Sequence, residues 1–180
     1  LTYDTMEFED APTPPDYATR GLSLQHAIPG YALTVRRRVA LAEPFDAILR
    51  YYAALEDCDA CHRYRRHGHV VRASRARLHH FTSAGGRLPR RTVIILQLFN
   101  LAIFLKRNSP LIDRKIPQYR RLLRRRLRAE LLKDLFSRRF SLPQARAVLY
   151  VMRHVDEVFG RSVEELETWY PSFQKRLVDG

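Results

Sequence analysis

A chain of 180 residues is one domain, or one domain with arms, and is long enough to bury a core. Its 32 Lys and Arg against 19 Asp and Glu give a net charge of +13 and a pI near 10.4, so a polyanionic neighbour is expected: nucleic acid, lipid headgroups or an acidic protein face. Two cysteines are too few for a disulfide framework, and no nucleophile elbow, phosphate loop, zincin motif or apolar carboxylate pair points to catalysis.

Residues 1–30 read as an extended, proline-containing arm, and residues 31–180 as a single basic helical domain. Asp4, Glu7, Glu9, Asp10 and Asp16 precede the first base, Arg20, and Pro12, Pro14 and Pro15 oppose a helix. Tyr3, Met6, Phe8, Tyr17 and Tyr31 give this arm apolar anchors, so it is expected to lie on something. Leu1 stands where a methionine would begin a primary product, so a processed or trimmed product is expected, either a mature organellar protein or a piece cut from something larger.

After Arg36-Arg37-Arg38, Glu43-Pro44 predicts a helix start, with Phe45, Ile48, Leu49, Tyr52 and Leu55 on one face. The run 70–81 predicts a shorter helix carrying bases at 72, 75 and 77, ended by the turn signal at 82–86. Next comes the most apolar stretch: 14 uncharged residues, 92–105, flanked by Arg90 and Arg91 on one side and Lys106 and Arg107 on the other. As a helix they span about 21 Å, short of the ~30 Å of a bilayer core. The buried axis of a bundle and a short, partly inserted membrane helix both remain open.

Asn108-Ser109-Pro110 stops that helix, and a second is predicted from Pro117 to about Phe136. Its apolar stripe reads Tyr119, Leu122, Leu123, Leu127, Leu131, Leu132, Leu135 and Phe136. Its basic face reads Arg120, Arg121, Arg124, Arg125, Arg126 and Arg128. Lysine occurs only at 106, 115, 133 and 175, and an arginine bias suits fixed bidentate contacts with phosphate or carboxylate. Ser141 with Gln144, and Ser162 with Glu165, read as capping boxes opening two further helices, the first running to Gly160 and the second to Pro171. No long alternating pattern predicts a strand. The fold class is all-α: an irregular helical bundle of about five to seven helices with an extended N-terminal arm.

Cys58-Asp59-Ala60-Cys61-His62 resembles the haem-attachment motif of c-type cytochromes, which implies two thioethers and a histidine ligand to iron. Cys58 and Cys61 with two of His67, His69, His79 and His80 would instead be a zinc set, although neither histidine pair has the usual spacing. Phe81-Thr82-Ser83, Leu88-Pro89-Arg90-Arg91 and Lys106-Arg107, below a Cys-x-x-Cys, resemble the small-subunit ribosomal protein family numbered eighteen, which implies a basic helix on rRNA. The next helix is apolar where that family's is basic, and the likeness stops there.

The function expected is a non-catalytic accessory subunit of a mitochondrial inner-membrane complex, an ATP synthase or respiratory-chain assembly. It would touch partner subunits and anionic lipid such as cardiolipin, from the inner membrane or the matrix side. The binding residues expected are Arg90, Arg91, Lys106, Arg107 and the six arginines between 120 and 128. An organellar ribosomal protein on rRNA is the alternative; a small haem or zinc protein built on Cys58, Cys61 and His62 is the second.

Overall fold

A computed structural model describes residues 13–51, 54–81 and 88–179. The chain is all-α in character, with 65% helix and 4% strand. It forms two compact units, residues 1–47 with 55–86 and residues 48–54 with 87–180.

In the first unit, the described part of the expected arm is folded. Pro15 occupies the first position of α1 (Pro15–Thr19), where a missing N–H is harmless, so the proline pair starts a short helix instead of preventing one. Gly21, at φ 69, turns the chain into β1 (Leu22–Leu24). This strand pairs antiparallel with β2 (Val71–Ala73), Leu22 facing Ala73 and Leu24 facing Val71. The helix expected over 70–81 is therefore absent. The β-branched pair Val70-Val71 meets an available edge, and residues 74–81 follow as turn and coil.

α2 (Arg37–Ala42) rises directly on the arginine run, and α3 (Glu56–Tyr64) opens with Glu56, Asp57 and Asp59, acids placed where the helix dipole favours them. Val39, Ala60 and Tyr64 make a small core flanked by Leu33 and Val35. Arg63 bridges Asp59 at 3.0 Å and Glu43 at 3.2 Å, which fixes the chain just beyond α2 against α3.

The helix expected from Glu43-Pro44 does not form; residues 43–51 run through bends and turns, and Tyr52 lies outside the described residues. Ile48 and Leu49 are buried, as the stripe implied, while Phe45 is exposed. The cause is tertiary. Gln174 accepts from the Arg50 N–H at 3.3 Å and donates to the Arg50 carbonyl at 3.4 Å, and Asn100 donates to the Ala54 carbonyl at 2.9 Å. Side chains of the second unit thus take backbone groups that a local helix would have used.

In that second unit, α4 (Arg90–Asn108) is the buried axis, with Val93 to Leu96 and Leu98 to Leu105 all inside. A helix apolar on every side needs neighbours all round. They are α5 (Ile112–Phe136), α6 (Pro143–His154), α7 (Asp156–Gly160) and α8 (Val163–Asp179). No helix among the described residues is long and apolar enough to cross a membrane. The one amide inside the axis, Asn100, accepts a hydrogen bond from the Tyr170 hydroxyl. The Tyr119 hydroxyl donates to the Leu98 carbonyl at 2.7 Å. Burial raises both phenol pKa values, which keeps them protonated as donors.

Four boundaries differ from expectation. The helix expected to reach Gly160 ends at His154, and α7 follows as a separate turn after Val155. α5 begins at Ile112, where Arg114 and Lys115 donate to the Leu111 carbonyl, so Pro117 sits inside the helix. α8 forms the expected box, Ser162 N–H to Glu165 at 2.8 Å and Glu165 N–H to the Ser162 hydroxyl at 3.2 Å, but continues through Pro171 to Asp179. The Ser141–Gln144 box is not made. Pro143 takes the first helical position, which leaves Leu142, at φ 50, as the cap residue. The cap comes from α5 instead. Asp134, fully buried, accepts from the N–H groups of Gln144 at 2.9 Å and Ala145 at 3.0 Å, and from the Gln144 amide at 3.2 Å.

Candidate functional site

The rotation of α5 about its axis decides what the protein presents. Tyr119, Leu123, Glu130 and Asp134 recur at helical spacing and are its buried residues. Two of the four are acids, and each is inward for a definite reason. Asp134 caps α6, and Glu130 is paired with Arg126 at 2.8 Å and Lys133 at 3.4 Å. With those acids inward, the opposite face is fixed. Arg121, Arg125, Arg128, Leu132 and Leu135 follow one another at steps of four and three, and all are exposed. The same side carries Arg120 and Arg124, and beyond Leu135 it ends in Phe136.

The apolar end of this face is the feature the sequence stripe concealed. Leu132 is 54% exposed, Leu135 47% and Phe136 86%, and Phe140 just past the helix is 78% exposed. The stripe from Tyr119 to Phe136 covered more than half the circumference of the helix, and only one side can face α4 and α6. Glu130 and Asp134, four residues apart and in phase with Tyr119 and Leu123, were the signal for which side. The result is one outer strip, about 22 Å from Arg121 to Phe136, that is cationic for its first half and apolar for its second.

The expected cationic residues divide. Arg91, Arg120, Arg121, Arg124, Arg125 and Arg128 are exposed. Arg120 makes a surface pair with Asp156 at 2.9 Å. Arg90, also exposed, is 3.5 Å from the Gln144 side-chain oxygen. Lys106 is half-buried and donates to the Phe159 carbonyl at 3.0 Å, and Arg107 is half-buried beside it. Arg126 is not part of the outer face: its side chain is 21% exposed and folded onto Glu130. Arg126→Gln is therefore a stability variant. It leaves Glu130 with Lys133 as its cation, and we expect a loss of about 1–3 kcal/mol in thermal or urea unfolding.

No family model, curated protein or solved structure matches this chain. Its site is read from its own chemistry.

Among the described residues the cysteine and histidine constellation is not assembled as a metal-ion site. Cys58 and Cys61 lie one turn apart on α3 with both thiols buried. Among the described residues no three His, Cys, Asp or Glu side chains come together to hold a metal ion. His67 instead approaches Glu43 at 3.4 Å, His69 meets the Tyr17 hydroxyl at 3.0 Å, and His80 stacks on Tyr31. Burial raises both thiol pKa values above the ordinary 9.0, and the nearby Asp57 carboxylate raises Cys58 further. Thiolate, the form that ligates or attacks, is disfavoured. The thiols' contribution to stability is whole below the ordinary thiol pKa and is lost as pH rises above it. Both are expected to resist a thiol reagent at pH 8 in the native protein and to react completely in guanidinium; fast native labelling would contradict this.

Proposed function

We propose that the chain is a non-catalytic accessory subunit of a mitochondrial inner-membrane assembly, an ATP synthase or respiratory-chain complex. In this reading the outer face of α5 holds it against anionic headgroups on the matrix side. The observation that carries the reading is the cationic-to-apolar strip. Arginines give bidentate contacts to phosphate, and each basic residue near an anionic surface contributes about 1 kcal/mol. Leu132, Leu135, Phe136 and Phe140 supply the apolar half of an interfacial helix, whose side chains enter the boundary between headgroups and acyl chains. Cardiolipin, with two phosphates in one headgroup, matches closely spaced arginines. Ribosomal RNA would use the same guanidinium groups, but exposed leucines gain nothing from a phosphate backbone, and this favours lipid.

Two experiments test it. In flotation with phosphatidylcholine vesicles, the protein should float only when cardiolipin is included, and less as salt is raised. In a mild-detergent extract, it should migrate with an inner-membrane complex. Migration with the ribosome would transfer the arginine face to rRNA and overturn the lipid assignment.

A further inference from the structure

The first unit contains a cavity of about 590 Å³. Leu22, Ile28, Leu33, Val35, Val39 and Tyr64 give it apolar surface, from β1, the segment before α2, α2 itself and α3. Tyr17, Thr34, Arg20, Arg36, His67 and His69 give it polar and cationic groups, and no Asp or Glu is among its described lining residues. Gly68, at φ 152 with open space where a Cβ would stand, lets the chain carry His67 and His69 on either side of it. His69 is held by the Tyr17 hydroxyl at 3.0 Å, and His67 by Glu43 at 3.4 Å. Neither the Arg20 nor the Arg36 guanidinium has an acid partner among the described residues.

Each feature limits the ligand. The volume lies in the range of clefts that take drug-sized molecules. Four half-buried aliphatic side chains, Leu22, Ile28, Leu33 and Val35, offer apolar surface to an apolar body. Two arginines without carboxylates favour a negative group and reject a cation, since a like charge there would have no counter-ion.

We propose that this cavity is a binding site for an amphiphilic anion: a single carboxylate or phosphate, set between Arg20 and Arg36, on an aliphatic body that fills the space against Leu22, Ile28, Leu33 and Val35. The site does not depend on the reading of α5.

The test is calorimetric titration of the full chain with four twelve-carbon probes below their micellar concentrations: laurate, lauryl phosphate, dodecanol and dodecyltrimethylammonium. Saturable binding of laurate or lauryl phosphate at one site per chain is expected, with the alcohol and the cation at least tenfold weaker. The better of the two anions distinguishes a fatty acid from a phosphorylated ligand. The double variant R20Q/R36Q changes exposed side chains only, so it should fold. It should weaken anion binding tenfold or more and leave dodecanol unchanged. The variant R124Q/R125Q should leave laurate binding unchanged, which separates this site from the lipid-facing helix. Equal binding of all four probes, no saturable binding, or an unaltered R20Q/R36Q isotherm would overturn the proposal.

Discussion

Replacing Arg121, Arg124, Arg125 and Arg128 together by Gln is expected to lower binding to cardiolipin vesicles by two to three orders of magnitude. The four are exposed, lie on one side of α5, and make no ion pair among the described residues. At about 1 kcal/mol per basic residue near an anionic surface, their loss removes about 4 kcal/mol, or roughly a thousandfold. Screening at physiological salt trims this toward a hundredfold. Unfolding of the variant should be unchanged or slightly improved, because four like charges within two turns repel one another. A variant that floats with cardiolipin as the parent does would remove the arginine face from the account. Choosing these four and leaving Arg126 intact matters. A triple change at 124, 125 and 126 would break the Glu130 pair and mix lost binding with lost stability.

Asp134→Ala should be strongly destabilising. The carboxylate is wholly buried and receives three hydrogen bonds, two of them from the first-turn N–H groups of α6. Alanine strands those donors away from water and opens a small void. A cost of about 2–4 kcal/mol follows from losing a cap together with buried, charge-assisted hydrogen bonds. For a chain of this size that is a fall in Tm of roughly 5–15 °C. Asp134→Asn keeps one acceptor oxygen and should recover part of the loss. A thermal unfolding curve for Asp134→Ala that overlays the parent would show that α6 holds its N-terminus by other means, and would remove the reason given for the rotation of α5.

That rotation separates what could be read along the chain from what could not. The all-α class, the buried axis at 92–105 and the Ser162–Glu165 box rest on local signals: unbroken apolar sequence, or a side chain meeting a backbone group three residues away. Those signals survive folding because nothing distant competes with them. The helix expected from Glu43 failed because Gln174 and Asn100, far along the chain, bind the backbone near residues 50 and 54. The helix expected over 70–81 failed because Val71 finds a strand partner at Leu24. The Ser141 cap was displaced by a carboxylate from the preceding helix. At the candidate site, composition revealed that α5 is basic, but not that Leu132, Leu135 and Phe136 share its outer face. Leucine usually marks the inside of a helix, and here two acids with specific partners take that side.

The central claim is that the apolar end of α5 enters a membrane interface while its arginines hold the headgroups. A Trp placed at Phe136, with Trp169 changed to Phe to leave a single reporter, reads this directly against cardiolipin vesicles containing brominated acyl chains. The account predicts a blue-shifted emission quenched most strongly by bromine near the headgroup end of the chain, with quenching lost when Arg121, Arg124, Arg125 and Arg128 are Gln. An emission that stays that of a solvent-exposed Trp, unquenched at saturating vesicle, would contradict it.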